Sequence, residues 1–134
     1  MRVFFDTNIL LYAAGDDPVR SETARSLLRA GGVISVQVLN EFVAVARRKL
    51  RLAWPDISEA LSAVRALPLD VRPLTLEQHD LALGLAADHR LNIYDALIVA
   101  AALDARCGRL FSEDLQDGRR FGGLTVINPF GAAS

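Results

Sequence analysis

The sequence is poor in the residues that staple or anchor a small chain. A single cysteine, Cys107, excludes a disulfide within the chain, fits a reducing cytoplasm, and is expected to pack as a small hydrophobe. The two histidines, His79 and His89, have no cysteine or histidine at zinc-ligand spacing, so both read as structural. Long apolar runs are missing too: the longest, Ala96 to Leu103, is too short to span a bilayer, and the start carries no basic-then-apolar signal region. With no linker, repeat or low-complexity segment, the 134 residues predict one domain over 1–134, ordered to about residue 130 with a short small-residue tail. A soluble cytoplasmic protein is expected. Lysine is nearly absent as well. Lys49 is the only one, and the remaining cations are arginines, the side chain better suited to bidentate phosphate contact.

What is present is ample apolar material, 51% of the chain, broken into short alternating elements. Val3-Phe4-Phe5 predicts a strand buried on both faces. A short helix follows over 7–14, Gly15-Asp16-Asp17-Pro18 breaks it, and a second helix over 20–29 ends at Gly31-Gly32. A strand at Val33-Ile34 leads into a long helix capped by Ser35, with Val38, Leu39, Phe42, Val43, Ala46 and Leu50 as its buried stripe. Pro55 opens a helix to Leu67, and Trp54 before it packs across a turn or lies exposed, which sequence leaves open. Leu69 to Leu74 predicts an edge strand whose pairing Pro73 limits, and Thr75-Leu76-Glu77-Gln78 is a capping box opening a helix to about His89. A helix over 93–106 and strands at 109–112 and 124–127 complete an α/β pattern.

Four acids stand where such a fold would collect them. Asp6 directly follows the first strand, Asp114 follows Arg109-Leu110-Phe111-Ser112, Glu41 lies early in the helix after the second strand, and Asp95 opens a later helix. Open parallel sheets bind ligands at the carboxyl ends of their strands. Carboxylates crowded there repel one another unless a cation sits among them, and an all-oxygen donor set favours Mg²⁺ or Mn²⁺, as one or two ions, over zinc. Each acid also has a plainer reading. Asp6 can cap the helix over 7–14, Asp95 can sit as a favourable charge three residues past the cap candidate Asn92, Glu41 can be a surface glutamate, and Asp114 and Asp117 can be turn residues ahead of Gly118. Thr7, Asn8 and Ser112 are small polar neighbours able to hydrogen-bond the carboxylates or cap adjacent helices.

The stretches Asp6-Thr7-Asn8-Ile9-Leu10-Leu11, Asn40-Glu41, Tyr94-Asp95-Ala96-Leu97-Ile98 and Ser112-Glu113-Asp114-Leu115-Gln116-Asp117-Gly118 resemble, in this order, the signatures of PIN-domain ribonucleases. Within them the chain looks most like the VapC-like toxins of prokaryotic toxin–antitoxin pairs, from residue 2 to about residue 130. The resemblance implies a three-layer α/β/α sandwich around a mainly parallel sheet. It also implies a metal-dependent endoribonuclease acting on single-stranded or looped RNA, a tendency to form a homodimer, and a cognate antitoxin that covers the acidic crevice, often with an inserted arginine. Asp6, Glu41, Asp95 and Asp114 would be the catalytic metal ligands and Asp117 an auxiliary one.

Bulk charge does not oppose this. The net charge is −1, but setting the four candidate ligands aside turns the balance of 15 basic and 16 acidic side chains positive. Arg47 and Arg48, in the cluster Arg47-Arg48-Lys49-Arg51, and Arg119 and Arg120 are the candidate RNA contacts, although the cluster at a helix C-terminus is also what the helix dipole alone favours. A response-regulator receiver would need a lysine after the last strands, and Lys49 is elsewhere; a haloacid-dehalogenase-like phosphatase would need an aspartate where Asn8 stands. The alternatives that remain are a PIN-like module that binds RNA or protein without cleaving, and a housekeeping RNA-processing nuclease without an antitoxin.

Overall fold

Val3–Phe5 (β1) forms the middle of the sheet because Phe4 and Phe5 have no exposed surface on either face. In the computed structural model, which describes residues 2–131, the order of elements is α1 (Thr7–Ala14), α2 (Arg20–Arg29), β2 (Gly32–Ser35), α3 (Val36–Arg48), α4 (Trp54–Arg65), β3 (Leu69–Arg72), α5 (Leu76–His89), α6 (Ile93–Asp104), β4 (Arg109–Phe111), β5 (Arg120–Phe121) and β6 (Leu124–Ile127). The strands lie in the order β3-β2-β1-β4-β6-β5, and every neighbouring pair is parallel except β5 with β6. Helices cover both faces, which gives the three-layer sandwich that the alternation predicts. The small-residue tail lies outside the described residues from 132 onward.

β1 leaves toward β2 on one side and receives β4 on the other, so the carboxyl ends of all three strands open onto a topological switch point. Close pairing of β1 with β2 depends on Gly32 at the start of β2, where an added Cβ would stand 2.6 Å from the Phe5 ring and 2.9 Å from the Val3 carbonyl oxygen. α6 is buried from Ala96 to Ala102 with little amphipathicity, as expected of a helix enclosed on all sides. Its alanines let α5 approach closely, with Ala82 set against Ala96, Leu97 and Ala100.

Several expectations change in detail. Leu50 does not belong to the buried stripe of α3: the helix ends at Arg48, Arg51 adopts φ 54°, and the Leu52 N–H bonds back to the Ala46 carbonyl. Leu52 packs on the core in its place, leaving Leu50 exposed. The capping box of α5 is half formed. Thr75 Oγ1 accepts from the Gln78 N–H, but the Gln78 side chain donates to Asp104 Oδ2 at 3.0 Å on α6. The helix expected over 93–106 stops at Asp104, and strand β5 was not anticipated. Its signal was there: Gly122-Gly123 separates Arg120-Phe121 from Leu124, a two-residue hairpin pattern, and Gly122 takes φ +59°.

Candidate active site

Asp6 ends the central strand and begins α1, and that double position explains its chemistry. Its backbone N–H still pairs with the Phe111 carbonyl of β4 at 3.0 Å, while its extended ψ of 164° turns the chain into the helix. The side chain is 2% exposed. Oδ1 accepts from the Thr7 N–H at 2.7 Å and Oδ2 accepts from Ser112 Oγ at 2.7 Å. Burial pushes this carboxyl up to about 7, the bonds from Ser112 and Thr7 oppose the shift, and the charges of Asp114 and Glu41 add to it.

The neighbouring acids are held in the same way, each by neutral donors. Thr7 Oγ1 donates to Glu41 Oε2 at 2.7 Å, and Gln37, one turn earlier on α3, donates to Glu41 Oε1 at 3.3 Å. Asn8 is bidentate: Nδ2 donates to Asp114 Oδ2 at 3.1 Å and Oδ1 accepts from the Glu113 N–H at 3.3 Å. Buried Ser112 also accepts from the Asp114 and Leu115 N–H groups, which folds the loop after β4 back over Asp6. Asp95 sits at the third position of α6, where the Asn92 side chain accepts from its N–H and donates to its carboxylate, both at 2.9 Å. Partial burial raises the Asp95 carboxyl, the charge of Asp114 adds to this, and Asn92 opposes it.

Thr7, Asn8, Glu41, Asp95 and Asp114 line one cleft of about 690 Å³, and buried Asp6 adjoins it through Thr7. Among the described residues none of the four acids forms an ion pair. Nor, among them, is any group of three or more His, Cys, Asp or Glu side chains placed to hold a metal ion directly. The donor set nevertheless suits a hard divalent cation. It is all oxygen, it is uncompensated, and the one fully enclosed carboxyl is shifted upward by burial and by its acidic neighbours together. Added positive charge would relieve that repulsion.

A family model for the PIN domain matches residues 3–119. The chain belongs to the PIN-domain family. Solved structures of the same fold include the toxin VapC20 of Mycobacterium tuberculosis, described as cleaving the sarcin–ricin loop, at 19% identity and TM-score 0.69, covering 84% of this chain and 91% of that one. A toxin–antitoxin complex from Klebsiella pneumoniae matches at 21% identity and TM-score 0.71 over 95% of this chain and 97% of that one. VapBC2 of Rickettsia felis, bound to a DNA fragment from its promoter, matches at 19% identity and TM-score 0.69 over 94% and 97%. A comparison with curated proteins gives no match.

In this PIN domain three of the four acids expected from sequence, Glu41, Asp95 and Asp114, line one cleft and Asp6 is buried next to its wall residue Thr7, while Thr7, Asn8 and Ser112 are the donors that hold Asp6, Glu41 and Asp114. Asp117 is not brought there. Its Oδ1 accepts from the Asn128 N–H at 2.8 Å, tying the loop after β4 to the end of β6. Of the four arginines expected at RNA, only Arg48 lines the cleft, joined by Lys49. Arg47 donates to the Leu52 carbonyl and lies 4.8 Å over the exposed Trp54 ring, locking the turn between α3 and α4. Arg119 donates to the His89 carbonyl and covers Phe121, which also packs edge-on with His89, while Arg120 is exposed on β5, away from the cleft.

Two supports of the site escaped the sequence reading. Gln37 shares the Glu41 side of α3 by its i, i+4 spacing and is 8% exposed, a buried polar residue that periodicity alone would have flagged. Glu113 accepts from the Tyr12 hydroxyl at 2.6 Å and from Arg20 at 3.3 Å, so α1 and α2 grip the loop that carries Asp114. No sequence pattern pointed to that bond.

Proposed function

We propose that this PIN domain is an endoribonuclease dependent on Mg²⁺ or Mn²⁺ and that it serves as the toxin of a toxin–antitoxin pair. The observation that carries the proposal is the grouping of Glu41, Asp95 and Asp114 on one cleft, close to buried Asp6, with no ion pair to any of the four among the described residues. The family is one of nucleases, and the solved relatives described as a toxin that cleaves a ribosomal loop and as toxin–antitoxin complexes support an RNA substrate and an antitoxin partner. A homodimer working in the cytoplasm belongs to the same reading.

When bound, one or two divalent ions would supply a water of lowered pKa and neutralise charge developing on the scissile phosphate. The four acids would hold them, directly or through water. The chain's own part is to fix the carboxylates beforehand: Ser112 and Thr7 hold Asp6, Thr7 and Gln37 hold Glu41, Asn8 holds Asp114 and Asn92 holds Asp95. Fixed donors leave less reorganisation for the reaction to complete. Arg48 and Lys49 supply the positive wall that an acidic cleft needs before it can accept a polyanion.

One observation favours a second reading. Each acid is satisfied by neutral donors, and no three of these groups among the described residues are placed to close on an ion, which suits a module that binds without cleaving. One experiment separates the two. Purified protein is expected to cleave single-stranded RNA in Mg²⁺ or Mn²⁺ and to stop in excess EDTA. Full cleavage after complete metal removal overturns the metal-dependent reading, and binding without cleavage in either metal selects the second.

A further inference from the structure

The cleft has one aromatic residue, and the acid chemistry leaves it unused. Tyr94 is 60% exposed at the second position of α6 and lines the cleft next to Asp95. Other aromatics near the surface have a partner on the ring, although Trp54 too is largely exposed. Tyr12 packs edge-on against Phe130 and Trp54 lies beneath Arg47. Among the described residues no aromatic ring or guanidinium stacks on Tyr94. Arg48 and Lys49, on the same cleft, form no ion pair among the described residues. An uncovered aromatic face, two unpaired cations and a group of acids thus share one opening.

We propose that Tyr94 is the stacking platform of the cleft, taking an unpaired nucleobase of the RNA while Arg48 and Lys49 hold the adjoining phosphates. The proposal rests on the ribonuclease reading above. Tyr94 and Asp95 line the same cleft, so a base on Tyr94 would belong to a nucleotide near the phosphate that Asp95 would face. A base already stacked inside a duplex has no free face to offer. Tyr94 therefore selects single-stranded over paired RNA, and because every base has a π-face it does so with little preference for sequence.

The test uses the full chain, with a pool of randomised single-stranded RNA oligonucleotides in Mn²⁺ to locate a cleaved site. Versions of that oligonucleotide with one abasic position follow. Tyr94→Ala is expected to raise KM roughly 5- to 150-fold with kcat little changed, the range that loss of one base–aromatic stack corresponds to. Tyr94→Trp should keep or lower KM, an outcome that does not depend on how the alanine variant folds. In the parent, one abasic position beside the cleaved bond should raise KM by a similar factor, and the same abasic substrate should carry no further penalty in Tyr94→Ala. Equal abasic penalties in parent and variant, or a parent-like KM in Tyr94→Ala, overturn the platform while leaving the ribonuclease intact. Absence of any cleavage by the parent overturns both.

Discussion

Replacing Asp6 by asparagine in metal-free protein sets the cost of a buried charge against the loss of one hydrogen bond. The Asp6 carboxyl is raised from 3.8 to about 7 by burial above all, so the folded state holds its proton more tightly than the unfolded state does. A group of that kind contributes stability that is fully present below about pH 3.8 and is lost as pH rises through about 7. The shift corresponds to a loss on the order of 4 kcal/mol at pH 8. Asparagine escapes this loss but not the geometry. Its oxygen can still accept from the Thr7 N–H, whereas its amide now faces Ser112 Oγ, which already accepts two backbone N–H groups, so the serine hydroxyl loses its acceptor at about 1 kcal/mol.

The two terms have opposite signs and different pH dependence, so the stability curves should cross. Asp6→Asn is expected to be slightly less stable than the parent at pH 4 and roughly 3 kcal/mol more stable at pH 8, with equality at about pH 4.5. For a chain of this length the gain at pH 8 is roughly 10 °C in melting temperature. Urea unfolding of both proteins in EDTA, from pH 4 to 8.5, measures the difference, and subtraction removes the contribution of Asp95, whose carboxyl is raised in the same direction. A variant less stable than the parent at pH 8, or a difference that does not vary with pH, would refute the view that Asp6 is a buried, strained carboxylate.

Asp95→Asn and Asp114→Asn should each abolish RNA cleavage, and Mg²⁺ at 100 times its Kd should stabilise the parent by about 2.7 kcal/mol while scarcely moving the melting of either variant; equal stabilisation of all three refutes the shared site. Binding of single-stranded RNA should weaken as salt rises, and Arg48→Ala should reduce the slope against log salt by about 0.7 while Arg119→Ala leaves it unchanged, since Arg119 is committed to the His89 carbonyl; identical slopes refute the assignment. Thr7→Val keeps the backbone bond to Asp6 but removes the donor to Glu41, so it should raise the Mg²⁺ concentration needed for half-maximal cleavage while the pH at which parent and Asp6→Asn stabilities cross stays put when measured in that background; an unchanged Mg²⁺ requirement refutes the role given to Thr7. Phe4→Ala, with no exposed surface to start from, should cost about 3–5 kcal/mol in urea unfolding, and a cost below 1 kcal/mol would remove β1 from the centre of the core.

The parts of this molecule that were legible in sequence are those whose cause is local. Phe4 and Phe5 announce a strand buried on both faces, Ser35, Thr75 and Asn92 announce helix starts, and all three cap through their side chains as expected. The same local logic failed where a long-range partner outbid the neighbour. Gln78 was expected to close a box with Thr75 but reaches Asp104 across the α5–α6 seam, and Leu50 fitted the stripe of α3 until Arg51 turned the chain away. Basic residues were the least legible. Arg47, Arg48, Arg119 and Arg120 look alike in sequence, and only the fold distinguishes the one that lines the cleft from those spent on Trp54, Leu52, His89 and Phe121.

For the acids the plain reading and the proposed functional one are compatible, which is why sequence could not choose between them. Asp6 does cap α1, and Asp95 does sit at the start of α6 beneath Asn92, as an ordinary helix terminus would have it. A cap, however, is satisfied by one oxygen and gains from solvent, whereas Asp6 has both oxygens bonded, almost no exposure and a carboxyl raised to about 7. Capping alone gives no reason to bury the group or to set Asp114 and Glu41 where their charges raise it further. The cap geometry instead serves to hold the side chain still, since the Thr7 N–H and Ser112 hydroxyl between them fix both carboxylate oxygens. What the helix start contributes is orientation, and what the burial contributes is an unmet demand for positive charge at the carboxyl end of the central strand.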